Sequence, residues 1–292
     1  MRLFSALLKS ALPLGADAAL VDYFRSHPRI SQLLLEGSGR HEVFMHCSQM
    51  LRACTRYPEL VSALLNEGAF DRLIDLASHQ SFDISSEAFS SLRELLLAQK
   101  AVSARYLASN FDVFFRQYHT LLEPARDYVS RRQALRLLGD VLLDRAFLEV
   151  MLTYVASAQF LQIHMNLLRD ISKTIQVDAF HVFKIFVANP NKPYRVLMIL
   201  HKNRDRLLKL LSTLTSPRRP DATPPGGAVP FDEDLTVVTS VLKGLELPAR
   251  ARAPSSGSII FGGSDSPSVA SASDGDVRRE IEEAALNVIE AA

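Results

Sequence analysis

The sequence contains no tryptophan and only two cysteines, Cys47 and Cys54. They lie seven residues apart on one predicted helix, so their Cα atoms are separated by about 10 Å. That is too far for a disulfide in a regular helix, and there is no second cysteine pair to complete a structural zinc site. We therefore expect two small packing residues in a reducing compartment, which favours a cytoplasmic location.

An excess of one charge sign is also missing, since 33 Lys and Arg face 32 Asp and Glu. Overall charge therefore gives no argument for nucleic acid as a partner. No stretch approaches the roughly 18 apolar residues of a membrane span, so a soluble chain is expected. Arg2 and Lys9 flank a short apolar stretch, but Lys9 interrupts it and Pro13 follows. This favours an amphipathic helix of an incomplete first repeat over a targeting peptide.

Motifs of catalysis are absent as well. The sequence has no GxSxG elbow, no phosphate-binding glycine-rich loop, no HExxH, no EF-hand loop and no paired CxxC. His181 lies among large apolar residues and is interpreted as a packing residue rather than a base. We therefore predict no catalytic residue, no metal site, no cofactor and no small-molecule substrate.

What the sequence does contain is a repeated helical pattern. Similar segments recur around Cys47, Ala88, Ala134 and Ala179, at steps of about 41, 46 and 45 residues, which is typical of HEAT and armadillo repeats. Each is followed by a short apolar segment and then a longer one, and no strand pattern competes. The prediction is an all-α, armadillo/HEAT-like, right-handed superhelical solenoid of three-helix repeats. Such solenoids usually bind partners along an extended surface.

The ends of the pattern define the domain organisation. Residues 17–36 read as two short helices broken near His27 and Pro28, and five prolines and two glycines predict a surface loop at 216–230. One more helix is expected from Phe231, with acidic residues in its first turn. We assign residues 1–250 to the repeat domain and residues 251–292 to a disordered, Ser/Ala/Gly-rich acidic tail that ends in a short predicted helix.

Charge is unevenly distributed along this organisation. Eight Lys and Arg face a single acid, Asp205, between residues 192 and 219, whereas seven acids face two arginines between residues 265 and 290. The basic segment is interpreted either as a solvated helix face or as a socket for an acidic or carboxylate-ended peptide.

Aligning the repeats places two aromatic residues at equivalent positions. Phe82 and Tyr128 each lie six residues before a repeat marker, Ala88 or Ala134. Arg132 and Arg136 follow Tyr128 at i+4 and i+8, on the same helix face. A row of aromatic and arginine side chains is typical of the energetic centre of a protein interface. The alternative is an ordinary solvated face, and spacing alone does not separate the two.

Four segments resemble the calcium-binding protein 39 family, the mouse-protein-25-like scaffolds. The segments lie at residues 81–97, 128–145, 165–192 and 231–236, and the most specific part is AFHVFKIFVANPNK at residues 179–192. The resemblance implies a non-catalytic armadillo-like scaffold that binds Sterile-20-related protein kinases and the STRAD pseudokinase and activates them allosterically. It also implies a general role in cell polarity and morphogenesis.

The resemblance further implies residue roles. Phe82, Tyr128 and Arg132 match the family's kinase-binding row, with Arg136 beside them. A second site would bind a peptide of the Trp-Glu-Phe type, and at Leu148 the family pattern has a larger aromatic residue. By motif, this predicted peptide pocket consists of Arg145, Leu148, Met165, Lys202 and Arg206.

A different function stays open at this point, in which the solenoid is an adaptor for another peptide or for nucleic-acid cargo. Binding dominated by phosphate contacts weakens steeply with salt, whereas an aromatic-anchored interface weakens much less. Salt dependence therefore separates the two hypotheses.

Overall fold

A computed structural model describes residues 16–214 and 231–247. Within those ranges the regular structure is entirely helical, with two 3-10 turns at His119–Leu122 and Arg145–Phe147. The α-helices are α1 Ala16–Ser26, α2 Arg29–Gly37, α3 Phe44–Cys54, α4 Pro58–Asn66, α5 Ala69–Ala77, α6 Phe82–Leu97, α7 Lys100–Ser109, α8 Phe111–Tyr118, α9 Tyr128–Leu142, α10 Leu148–Ala156, α11 Ala158–Leu167, α12 Lys173–Ala188, α13 Tyr194–Leu211 and α14 Phe231–Lys243.

Equivalent helices stack on one another in three rows. The long-helix row runs through α3, α6, α9, α12 and α14, each contacting the next. A second row runs through α1, α4, α7 and α10, and a third through α2, α5, α8, α11 and α13. Because each repeat buries its apolar side against its neighbours, the core is continuous along the molecule. The all-α armadillo-type solenoid predicted from the repeat spacing is confirmed.

The fourth repeat departs from the prediction. The short and the longer apolar segment that follow Ala179 are residues 194–200 and 204–214, and a three-helix repeat predicts a separate helix for each. Tyr194–Leu211 is instead a single helix, so that prediction is wrong. The reason is the linker, which contains no proline or glycine at residues 201–203. In an earlier repeat, Gly68 breaks the chain between α4 and α5 with a left-handed φ of 81°. Nothing comparable interrupts α13.

Other predicted boundaries agree with the structure. The break near Pro28 separates α1 from α2, and α14 begins at Phe231 with three acids in its first turn. Cys54 is fully buried and Cys47 half-buried, both as free thiols, and burial raises the pKa of Cys54 to about 12. The segment preceding α1, the predicted loop at 216–230 and the predicted tail at 251–292 lie outside the described residues.

Ion pairs connect each long helix to the next. Three of the four join side chains that remain partly exposed, whereas the pair between α12 and α14 is buried, its two side chains being 6% and 4% exposed. A buried pair costs desolvation, so its contribution is to fix how α14 docks more than to add stability. The four pairs are Arg52–Glu87 at 2.6 Å, Arg93–Asp140, Arg132–Asp178 at 3.3 Å and Lys184–Asp234 at 2.7 Å.

A chain of polar side chains also lies inside the core. The Tyr154 hydroxyl is 2.7 Å from Nε2 of His164 and 2.9 Å from Nε2 of His119, among the rings of Phe115 and Phe160. Burial lowers the pKa of His119 to about 4 and that of His164 to about 3. Both imidazoles are therefore neutral in the folded protein at neutral pH.

These two histidines predict acid sensitivity. Between pH 6.5 and 4 the unfolded chain protonates both imidazoles while the folded chain protonates neither, so stability falls as the pH falls. Each contributes a slope of up to about 1.4 kcal/mol per pH unit. The His164→Gln variant keeps a polar atom near the position of Nε2 but cannot titrate, so its free energy of unfolding depends less on pH. Urea unfolding at several pH values measures this, and equal slopes for both proteins would contradict the assignment.

Replacing either of two glycines by alanine should change the stability of the protein, but in opposite directions. A Cβ added to Gly37, the last residue of α2, would lie 2.4 Å from Sγ of Cys47, whereas one added to Gly139 within α9 meets nothing within 4 Å. We expect Gly37→Ala to cost about 1 to 3 kcal/mol through overpacking. Gly139→Ala should stabilise the protein by about 0.5 to 1 kcal/mol, because alanine favours the helix. Urea unfolding of the two variants measures whether each free energy of unfolding rises or falls. A change in the same direction for both variants would refute this packing argument.

Candidate functional site

The predicted aromatic row lies at the starts of successive long helices. Phe82 is the first residue of α6, and Tyr128 is the first residue of α9. The start of α9 is fixed by its cap, since the Asp127 carboxylate accepts a hydrogen bond from the Ser130 N–H at 2.9 Å. The equivalence inferred by counting back from the repeat markers therefore holds in three dimensions.

A shared backbone acceptor brings these two helix starts together. The Ser85 hydroxyl on α6 donates to the carbonyl oxygen of Ala77 at 2.7 Å, and the Ser130 hydroxyl on α9 donates to the same oxygen at 3.3 Å. Both serines are buried. Since they follow Phe82 and Tyr128 by three and two residues, the two aromatic residues begin helices that meet at the end of α5.

Both aromatic side chains of this row face solvent. Phe82 is 64% exposed and Tyr128 is 43% exposed, whereas Phe89 of α6 and Phe114 and Phe115 of α8 are buried. Exposed rings at equivalent positions of adjacent repeats form a contact surface on which a partner can bury apolar area.

The arginines around Tyr128 divide into two groups. Arg131 is largely buried and paired with Asp170, and Arg126 donates from Nε to a backbone carbonyl, so both stabilise the fold. Arg132 directs Nε to Asp178 at 3.3 Å while its side chain stays 40% exposed, and Arg136 is exposed. The exposed arginines present cationic groups next to Tyr128 that can bind carboxylate or phosphate oxygens.

Asp178 is a site residue that the sequence prediction missed. It lies on α12, 46 residues from Arg132, and holds the guanidinium of Arg132 in one orientation. Burial raises the pKa of Asp178, and the positive charges of Arg132 and Arg136 oppose that rise. No local pattern marks this pairing, because it depends on how α9 stacks on α12.

Lys173 is a second residue that the sequence prediction missed, although the repeat spacing marks its position. It is the exposed first residue of α12 and lies six residues before Ala179, so the count that gave Phe82 and Tyr128 reaches it too. The same count in the first repeat gives His41, which precedes α3 by three residues. The row therefore runs from Phe82 through Tyr128 to Lys173.

The predicted peptide pocket is spread over neighbouring elements. Arg145 is exposed in the turn before α10, Leu148 is half-buried at the start of α10, and Met165 on α11 is buried in the core. Lys202 and Arg206 are exposed one turn apart on α13, which contacts α11. A cleft between α7 and α10, and another between α13 and α14, are lined by other residues. The peptide pocket therefore stays a prediction.

Two further properties concern the described ranges alone. No group of three or more His, Cys, Asp or Glu side chains there could hold a metal ion. No single helix in residues 16–214 and 231–247 is both long and apolar enough to cross a membrane. The bent pair Arg145–Ala156 and Ala158–Leu167, with an 88° break, meets the same length and composition test together.

The stacked rows and the exposed aromatic row define an armadillo-type repeat protein with a candidate partner-binding surface. Within that class, the chain belongs to the Mo25-like family, whose model matches residues 1–223. The resemblance seen in the sequence is confirmed.

Individual relatives show the extent of the similarity. The Mo25-like protein of Schizosaccharomyces pombe is 42% identical over 219 residues, covering 75% of this chain and 66% of the relative. The calcium-binding protein 39-like protein of Mus musculus is 37% identical over 220 residues, covering 75% and 64%. A designed armadillo repeat protein superposes with a TM-score of 0.47 at 14% identity, over 82% of this chain and 91% of its own. The matched region spans about two thirds of the curated relatives' length.

Proposed function

We propose that this chain is a non-catalytic scaffold that binds a Sterile-20-related protein kinase, or a STRAD-like pseudokinase, and activates it allosterically. The observation that carries the proposal is the pair of exposed rings, Phe82 and Tyr128, at equivalent helix starts beside Arg132 and Arg136. Membership of the Mo25-like family supports the same partner class.

The mechanism is a shift in the partner's conformational equilibrium. A scaffold activates a kinase only to the extent that it binds the active conformation more tightly than the inactive one. Phe82 and Tyr128 would anchor an apolar patch of the kinase lobe, and Arg132 would contact acidic groups of the same lobe. Because the row lies on stacked helices, its geometry is fixed before the partner arrives, which lowers the entropic cost of binding.

A second contact completes the proposal. A Trp-Glu-Phe type peptide of the partner would bind near Lys202 and Arg206, whose charges suit its carboxylates, with Arg145, Leu148 and Met165 beside them. Two linked contacts raise the effective concentration of the second once the first has formed.

Replacing Tyr128 by alanine tests the row. We expect Tyr128→Ala to weaken binding of a cognate Sterile-20-related kinase by about 2 kcal/mol, roughly 30-fold in Kd, and to remove most of the activation. Tyr194→Ala is the matched control, since Tyr194 is also a helix-starting tyrosine, 53% exposed, but outside the row. Titration calorimetry and kinase assays give the readout. Equal binding by Tyr128→Ala and the control would reject the row as the interface.

Replacing Asp178 tests whether the orientation of Arg132 matters for kinase binding. Asp178→Asn keeps a hydrogen-bond acceptor but removes the charge that holds Arg132, so we expect kinase binding to weaken by about threefold to tenfold. In an Arg132→Ala background the same substitution should have no further effect on the Kd. A double-mutant cycle measures this coupling, and additive losses would show that Asp178 does not act through Arg132.

A further inference from the structure

Helix α13 carries a stripe of exposed basic side chains that form no ion pairs within the described residues. At the helical period, offsets of 7, 11 and 14 residues fall within a narrow sector of one face, so the stripe extends for about 21 Å along the helix. Its members, all exposed, are Arg195, Lys202, Arg206 and Lys209. None of them forms an ion pair with any residue of the described ranges.

The α13 stripe differs from the basic residues that join the long helices. One basic residue on each of α3, α6, α9 and α12 pairs with an acid of the next long helix. On α13, by comparison, like charges follow one another at i+3 and i+4, which is unfavourable in an isolated helix. A set of like charges held at this spacing fits a complementary acidic segment.

We propose that the α13 stripe binds the acidic C-terminal segment of this same chain, residues 274–292. Residues 274–292 contain six acids and two arginines, a net charge opposite in sign to that of the stripe. Asp276, Glu280, Glu283 and Glu290 are spaced by 4, 3 and 7 residues. At the helical period they fall on one face over 14 residues, the length of the stripe, and the spacing suits an antiparallel arrangement.

The path of the chain allows this contact. Helix α14 packs against α13 and ends at Lys243, and the described chain continues to Leu247. The residues between Leu247 and Asp274 can span on the order of 90 Å at full extension, more than three times the length of α13. The linker is therefore long enough for the segment to reach the stripe from α14.

The contact also predicts regulation. Lys202 and Arg206 belong both to the α13 stripe and to the predicted peptide pocket, so the acidic segment would compete with a partner's peptide. This consequence rests on the proposed function, whereas the intramolecular contact itself does not.

Carbodiimide cross-linking of the full chain tests the contact. The reagent joins a carboxylate to a lysine amine with loss of water, so only groups in direct contact are coupled. We expect links from Lys202 and Lys209 to Glu280, Glu283 or Glu290, identified by mass spectrometry. Arg195→Glu with Arg206→Glu leaves both lysines in place but reverses neighbouring charges, and should reduce these links about fivefold to tenfold.

The control reverses two exposed arginines on other helices, Arg72→Glu with Arg116→Glu, and should leave the links unchanged. Links spread evenly over the lysines of the chain, or links unaffected by the Arg195 and Arg206 reversal, would overturn the proposal. Mixing isotope-labelled and unlabelled chains shows whether the links form within one chain or between two copies. Links mainly between chains would replace the intramolecular contact with one to a second copy.

Competition is measured separately with a fluorescent Trp-Glu-Phe peptide. The full chain carrying Glu280→Gln, Glu283→Gln and Glu290→Gln should bind this peptide about fivefold more tightly than the unmodified chain. Equal affinity would refute competition. Binding to neither protein would refute the proposed peptide pocket instead, and the cross-links would still decide whether the acidic segment contacts α13.

Discussion

The structure depends on the stacking of each long helix on the next. A three-helix repeat cannot bury the apolar side of its own long helix, so α6, α9 and α12 are stable only between neighbours. The same stacking aligns the helix starts and carries the ion pairs between repeats. The position of Tyr128 relative to Phe82 is therefore a consequence of core packing, and a partner meets a surface whose spacing is set by the repeat.

The fold could be predicted because its determinants are local and periodic. The repeat markers Ala88 and Ala134 lie six residues after Phe82 and Tyr128, so counting back along the sequence identifies the equivalent positions at which α6 and α9 begin. The continuous α13 was not predicted, although its cause is also local. Its two apolar blocks were interpreted as two helices, and the residues 201–203 between them contain no helix breaker.

The ion pairs of the candidate site could not be predicted from the sequence, because their partners are distant in the chain. Arg131 and Arg132 are adjacent and look equivalent in the sequence, yet Arg131 is nearly buried against Asp170 and Arg132 stays accessible beside Asp178. These acids are about 40 residues away in the chain. Lys184 is a similar case, since its position in an apolar motif makes sense only once Asp234 of α14 is placed next to it.

The row also changes character along the molecule, and this bears on how a partner is oriented. It presents a phenyl ring at Phe82, a phenol beside two exposed arginines at Tyr128, and an ammonium group at Lys173. If the row binds a partner as proposed, the apolar end would supply most of the contact energy, and the cationic end would act at longer range and discriminate against a reversed partner. A uniform aromatic row would bind in several registers. A graded row on a rigid stack favours one register, and the proposed role requires this because it depends on stabilising a single conformation of the partner.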